Sequence, residues 1–267
     1  MCQLLAMNCN TPTDVMFSFA GFAQRGGRTA EHKDGWGIAF FEGGRAGKHQ
    51  GLRHFVDHLP ACESPVAELV RRYPIKSENV IAHIRKATQG EVSLANCHPF
   101  VRELWGRYWV FAHNGDLKDF APRLHASYHP VGTTDSERAF CYILQELAKS
   151  HAGMPSVAEL TITLRELSQH IAAHGTFNFL LSSDQALWAH ASTNLHYVER
   201  AHPFAHAQLA DEDVAVNFAE LATPQDRVAV VVTQPLTTDE AWTAFAPGSL
   251  LVFEAGRLVG NPGIKNA

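Results

Sequence analysis

The chain has 267 residues, of which 46% are hydrophobic and 18% charged, enough to bury a sizeable core. Its net charge of −5 offers no basic surface to a nucleic acid or an anionic membrane, which leaves a small molecule as the expected substrate. Five cysteines without a C-x-x-C pair suggest neither a disulfide framework nor a zinc knuckle, and no apolar run approaches the roughly 20 residues of a membrane span.

In chain order, residues 2–8 read as a first strand, followed by an apolar helical stretch over 15–24. Asp14 precedes that stretch and no basic region or small-residue cleavage site surrounds it, so a signal peptide is not expected and the cytosol is the natural compartment. A Gly-rich, charged loop over 25–33 is long enough to be a lid. Short β-rich runs over 35–41, 80–85 and 108–112 end in turn residues and predict strands. Ser64-Pro65 predicts a helix start, with Ser64 at N-cap and Pro65 at N1, leading into 66–72. A second helix opens near Thr134, where Ala139, Phe140, Ile143, Leu144 and Leu147 recur at helical spacing. A third runs from Ser156 with Leu160, Leu164, Leu167 and Ile171 on one face. Residues 177–181, 186–191, 195–198, 214–218, 228–233 and 249–253 read as strands, with a turn at Ala255-Gly256-Arg257. No linker or repeat divides the chain, so a single domain over 2–267 is expected. Many strands with a few long helices predict an α+β fold, a four-layer αββα sandwich of face-to-face sheets covered by helices.

Four places carry candidate chemistry, each with a plainer alternative. Cys2, after removal of Met1, would present a thiol and a free α-amine on one residue, a nucleophile with its own base, or it is an early core cysteine. In His83-Ile84-Arg85-Lys86-Ala87-Thr88, Arg85 at a strand end suits bidentate capture of a carboxylate, with Thr88 adding a hydrogen bond; a surface ion pair is the alternative. His113-Asn114-Gly115 ends the strand Trp109-Val110-Phe111-Ala112, and the Asn114 amide and Gly115 N–H could meet one developing oxyanion. The alternative there is a hairpin turn in which Gly115 adopts an unusual backbone conformation. Thr134-Asp135-Ser136-Glu137 is a capping box by pattern, and a carboxylate at that point could also bind an ammonium group. Arg85 and Asp135 together would then read the α-groups of a free amino acid. Sixteen histidines invite a metal, but there is no H-E-x-x-H, and His54 and His58 lack an acidic partner at motif spacing; no metal or organic cofactor is expected.

The order of these motifs resembles the class II glutamine amidotransferases, whose glutaminase domain is an N-terminal nucleophile hydrolase. The resemblance rests on Cys2, on His83-Ile84-Arg85 with Ala87-Thr88, on Asn96-Cys97-His98-Pro99-Phe100, on His113-Asn114-Gly115 and on Thr134-Asp135-Ser136-Glu137. Val230-Val231-Val232-Thr233 with Pro235-Leu236, and Pro247-Gly248-Ser249-Leu250-Leu251-Val252, are similar to the stand-alone YafJ-like branch. The resemblance implies that Cys2 attacks the side-chain amide of glutamine, releasing ammonia and leaving a γ-glutamyl thioester for water to hydrolyse. It further implies that Asn114 and Gly115 hold the oxyanion and that Arg85, Thr88 and Asp135 hold the glutamyl α-groups. Arg25 and Gly26 resemble the family's Arg-Gly before its mobile loop. Lys86 and Gln89 stand where some synthase-linked members carry an aromatic residue and a histidine. Glutamine or a γ-glutamyl compound is the implied substrate. Three outcomes for the chain follow: ammonia passed to a separate synthase subunit, hydrolysis of a γ-glutamyl amide or peptide, or a non-enzymatic glutamine-binding regulatory subunit.

Overall fold

Residues 2–43, 51–125 and 127–259 are described by the structure, a computed structural model. The first half runs β1 (Gln3–Asp14), α1 (Met16–Gln24), β2 (Trp36–Glu42), β3 (Gly51–Asp57), α2 (Pro65–Arg72), β4 (Lys76–Ile84), β5 (Phe100–Leu104) and β6 (Arg107–Leu117). The second half begins with two helices, α3 (Asp135–Ser150) and α4 (Val157–Ala172), then β7 (Gly175–Ser182), β8 (Leu187–Ala191) and β9 (His196–Ala201). Short β10 (His206–Gln208) and β11 (Ala215–Asn217) follow, then β12 (Arg227–Val232), β13 (Thr243–Ala244), β14 (Ser249–Glu254) and β15 (Arg257–Val259).

Two antiparallel sheets result, ordered β13-β9-β12-β1-β4-β2-β3 and β15-β14-β8-β7-β6-β5, with β10 and β11 forming a separate ribbon. The alternation of side chains along each strand sorts the core into three layers. Leu5 and Met7 of β1 turn outward with Val230 and Val232 of β12, and pack with Phe19 and Phe22 of α1 and Val70 of α2. Leu4 and Ala6 turn inward, meeting Val110, Ala112, Leu180 and Ala189 of the second sheet. On the far side, Trp109, Phe111, Phe177 and Phe179 pack against Phe140, Leu144 and Leu164 of α3 and α4. The four layers are therefore α, β, β, α, as the pattern predicts.

Helix starts follow their capping chemistry. Ser64 accepts the Ala67 N–H at 3.1 Å, and Ser156 forms a full capping box with Glu159. Strand ends agree less closely. The predicted strand over 214–218 shrinks to β11, and Phe218 opens a 3-10 turn instead. Edge strand β3 carries an exposed, mixed side-chain pattern that hides it from a periodicity argument, and β5 is short.

The outer layer of the second sheet is the most aromatic, and Phe111 stacks on Phe140 with centroids 5.0 Å apart and planes 6° from parallel. Phe111→Ala is expected to lower stability by about 3–5 kcal/mol. A urea unfolding curve with a lower midpoint and an unchanged slope will show it.

Candidate active site

Pairing on both sides of β1 delivers Cys2 to the site. Gln3 lies opposite Ile84 in the ladder, so Cys2 stands just past the end of β4, beside Arg85 and Lys86. Its Sγ accepts the Lys86 N–H at 3.2 Å and lies 3.3 Å from the Lys86 carbonyl oxygen. The 34–35 segment clamps the same stretch: Arg85 N–H donates to Gly35 O at 2.8 Å, and the Asp34 carboxylate accepts Ala87 N–H at 2.7 Å. Burial pushes the Cys2 thiol above its ordinary value, and the Lys86 backbone contact offsets this only in part.

Arg85 is buried and is not a surface ion pair. Its guanidinium donates to Glu91 O and Gln89 O, both at 2.9 Å, and to Gly90 O at 3.2 Å, so the charge organises the loop over 89–91 around itself. An arginine ringed by carbonyls keeps a positive potential under the cleft without a carboxylate partner of its own.

Asn114 and Gly115 do not form a turn. Strand β6 runs through them to Leu117, with Asn114 opposite Asn178 and Gly115 opposite Phe177. The apolar stretch hides this continuation, because His-Asn-Gly is a common turn signature where no partner strand is in view. Gly115 is required by close packing: a Cβ there would overlap the Thr176 carbonyl oxygen. Asn114 is 1% exposed, with its Nδ2 3.4 Å from Thr233 Oγ1.

The Thr134–Glu137 pattern makes only half a capping box. Thr134 accepts the Glu137 N–H at 3.2 Å, but the Glu137 carboxylate turns away to Gly132 N–H at 2.7 Å, Val131 N–H at 3.0 Å and Arg102. Asp135 accepts the Leu117 N–H at 2.8 Å, which fixes one carboxylate oxygen at the end of β6. His113 lies beneath, with Nε2 3.0 Å from Thr176 O and Nδ1 2.8 Å from Ser136 Oγ. A carbonyl can only accept, so Nε2 carries the proton and Nδ1 takes the Ser136 hydroxyl hydrogen. Burial lowers the affinity of His113 for a second proton, against the opposing pull of Asp135. His83 is buried and held down to about 3, mainly by desolvation, so it is neutral across the physiological range.

Cys2, Arg85, Thr88, Gly115 and Asp135 line one cleft, together with Lys86, Gln89, His98 and Ser136. Its free volume, about 20 Å³, admits a single water-sized sphere and far less than a glutamine. Asn114 precedes Gly115 in β6 and is not among the cleft-lining residues. Arg25 and Gly26 are outside the cleft lining: Arg25 is buried and pairs with Asp211 at 2.7 Å, with further bonds to Gln234 O and Pro235 O. Gly26 packs against Ala61, where a Cβ would come within 2.5 Å. The loop over 25–33 instead reaches the cleft through Glu31, which pairs with Lys86 at 3.2 Å on the surface. Sequence reasoning missed Asp34 and the backbone role of Lys86; the Asp34-Gly35 pair ahead of a strand is the signal that points there. Among the described residues no cluster of acidic, histidine and cysteine side chains could hold a metal, and no helix is long and apolar enough to cross a membrane.

A cysteine at a strand end in an αββα sandwich shares its cleft with a glycine of the opposite sheet and a helix-start carboxylate, and the family model for class II glutamine amidotransferases matches residues 1–265. The chain belongs to that family. It is 49% identical over 259 residues to a Haemophilus influenzae protein that carries a provisional glutamine amidotransferase name, covering 97% of this chain and 86% of that one. It is 47% identical to YafJ of Escherichia coli K12, also provisionally named a glutamine amidotransferase, over 97% of this chain and all of that one. A crystal structure from Pseudomonas aeruginosa, described as a predicted glutamine amidotransferase, superposes with a TM-score of 0.77 at 40% identity, covering 97% of this chain and 100% of that one. A glutamine phosphoribosylpyrophosphate amidotransferase from B. subtilis, 13% identical with a TM-score of 0.57 over 97% of this chain and 48% of its own, shares the fold.

The buried Cys2 thiol and the exposed Cys62 thiol differ in a measurable way. With Met1 retained, iodoacetamide is expected to alkylate Cys62 first, and the Cys2 rate should keep rising with pH beyond 9, as peptide mass mapping will show.

Proposed function

We propose that the chain is a cysteine-dependent glutaminase of the amidotransferase type, with Cys2 as nucleophile. The observation that carries this is the placing of Cys2, Gly115 and Asp135 in one cleft, with Asn114 next to Gly115 in β6. After Met1 is removed, the Cys2 α-amine takes the thiol proton as Sγ attacks the side-chain carbonyl carbon of glutamine. The carbonyl electrons move to oxygen, and Asn114 and Gly115 hold the resulting oxyanion. Collapse breaks the C–N bond, and the ammonium form of the α-amine protonates the leaving nitrogen, giving ammonia and the γ-glutamyl thioester. Water then attacks the thioester, the amine takes its proton, and glutamate leaves as the thiol is restored. Asp135 binds the substrate α-ammonium, while Arg85 and Thr88 attract its α-carboxylate. Arg25 and Gly26 shape the base of the lid loop, not the cleft.

The cleft must widen to admit substrate. Lys86–Glu31 is the surface link that yields, since an exposed pair of this kind is worth less than about 1 kcal/mol. Whether the leaving group is ammonia or a larger amine separates a glutaminase from a γ-glutamyl hydrolase, and substrate preference reads that directly.

Glutamate release is measured for Met1-free protein with L-glutamine, γ-glutamyl amides and γ-glutamyl dipeptides. Cys2→Ala is expected to abolish it, and Asn114→Ala to lower kcat roughly 100- to 1000-fold. Asp135→Asn should raise KM roughly ten- to a hundredfold through loss of a charged hydrogen bond. Preference for L-glutamine supports an ammonia-donating glutaminase, and preference for a larger amide makes the chain a dedicated γ-glutamyl hydrolase. Cys2-independent binding of glutamine without turnover would establish the regulatory-subunit alternative. Protein whose intact mass still includes Met1 should be inactive, because its Cys2 nitrogen is an amide.

A further inference from the structure

One hydroxyl joins the two sheets at the site. Thr233 follows β12; its Oγ1 accepts the Leu4 N–H at 2.9 Å, and its own N–H donates to Leu4 O at 3.1 Å. Two bonds thus bind Thr233 to the strand that begins beside Cys2. From the opposite sheet, Asn114 Nδ2 lies 3.4 Å from the same Oγ1, at the long limit of a hydrogen bond. Both side chains are buried, Thr233 at 3% and Asn114 at 1% exposure.

This arrangement leaves two groups mismatched. Thr233 Oγ1 accepts in each of these contacts and its O–H donates in neither, while Asn114 Oδ1 is buried without a hydrogen-bond partner. An unpaired buried carbonyl oxygen is unfavourable, and a donor stands within reach of the same amide. A 180° turn of that amide exchanges its oxygen and nitrogen: it pairs the oxygen and uses the Thr233 proton, and it leaves the NH2 as the group that awaits a partner. Thr233 O–H then donates to Asn114 Oδ1, and the Leu4 N–H keeps its lone pair on Oγ1. The Asn114 NH2 is released from Thr233 and is free to meet an incoming acceptor.

We propose that Thr233 is a positioning residue of the acyl-transfer site: by donating to Asn114 Oδ1 it aims the Asn114 NH2 at the oxyanion and ties that donor to the strand carrying Cys2. This rests on the glutaminase reading above. Thr233 touches no reacting atom and acts through Asn114.

The test uses the full chain, freed of Met1, with L-glutamine as substrate. Thr233→Val, which keeps the shape and removes the hydroxyl, is expected to lower kcat roughly 10- to 100-fold with KM changed by less than about threefold. Thr233→Ser should recover most of the loss, and Thr233→Val should have no further effect in an Asn114→Ala background. A valine variant with kcat within about twofold of the parent, a serine variant no better than valine, or full additivity with Asn114→Ala would each overturn the proposal. Should the valine variant fail to fold by urea unfolding, the unaltered protein decides by NMR. Cross-peaks from the Asn114 side-chain NH2 that are stronger to the Cys2 methylene protons than to the Thr233 side chain support the proposal, and the reverse order overturns it. Wild-type protein without Cys2-dependent glutamate release overturns the glutaminase reading and this proposal together, whereas an active wild type with an undiminished valine variant overturns this proposal alone.

Discussion

Everything at the site depends on β1 being paired along both edges. Its ladder with β4 fixes Gln3 opposite Ile84, and its ladder with β12 fixes Leu5 opposite Val232. A slip of one residue in either pairing would turn Leu4 and Ala6 out of the inter-sheet core and bring Leu5 and Met7 in. The hydrophobic pattern forbids that slip, because both faces of the strand are buried and carry side chains of different size. The position of one thiol is thus set by the packing of four residues that take no part in chemistry.

The polar layer between the sheets shows a second constraint. Hydrogen-bonding side chains gather where the two sheets meet near Cys2: Asn178 donates to Asn114 O at 3.0 Å and to Thr193 Oγ1 at 2.9 Å, and accepts the Thr193 N–H. Next along β1 the inter-sheet core is apolar around Ala6, with Ala229, Val231 and Ala189, until the buried Asn8–Asn79 pair. The site therefore lies at the rim of a dry interior, where a low local dielectric strengthens each hydrogen bond and penalises each unmet one. The same burial keeps the Cys2 thiol and the neighbouring histidines in their neutral forms. Charge around the thiol is itself tied down: Arg85 is held by carbonyls, Asp135 and Asp34 by backbone N–H groups, and Lys86 by Glu31 at the surface.

How far the sequence reaches can be seen residue by residue. The layers are legible because runs such as 228–232 are apolar throughout and helices such as 157–172 have one apolar stripe. Cap residues Ser64, Thr134 and Ser156 are legible because their chemistry is local. Asn114 and Gly115 could be picked out, but not their conformation: whether His-Asn-Gly turns or runs on depends on β7, some sixty positions away. Arg25 is a different case: it is singled out only by its resemblance to the family's Arg-Gly pair, and its guanidinium is taken up by Asp211 and two distant carbonyls. Long-range partners, which no window of sequence contains, decide both cases.

The packing around Gly115 bears on how such motifs should be read in other chains. The Thr176 carbonyl lies against its α-carbon in the β6–β7 ladder, so the backbone geometry demands glycine there whatever the protein does. A descendant that had lost all turnover would still have to keep it, or lose the register of two strands. Of the Asn-Gly pair, only the asparagine is at liberty to drift once chemistry is no longer selected, and so it, together with the cysteine, is where a degenerate copy of this fold would first betray itself.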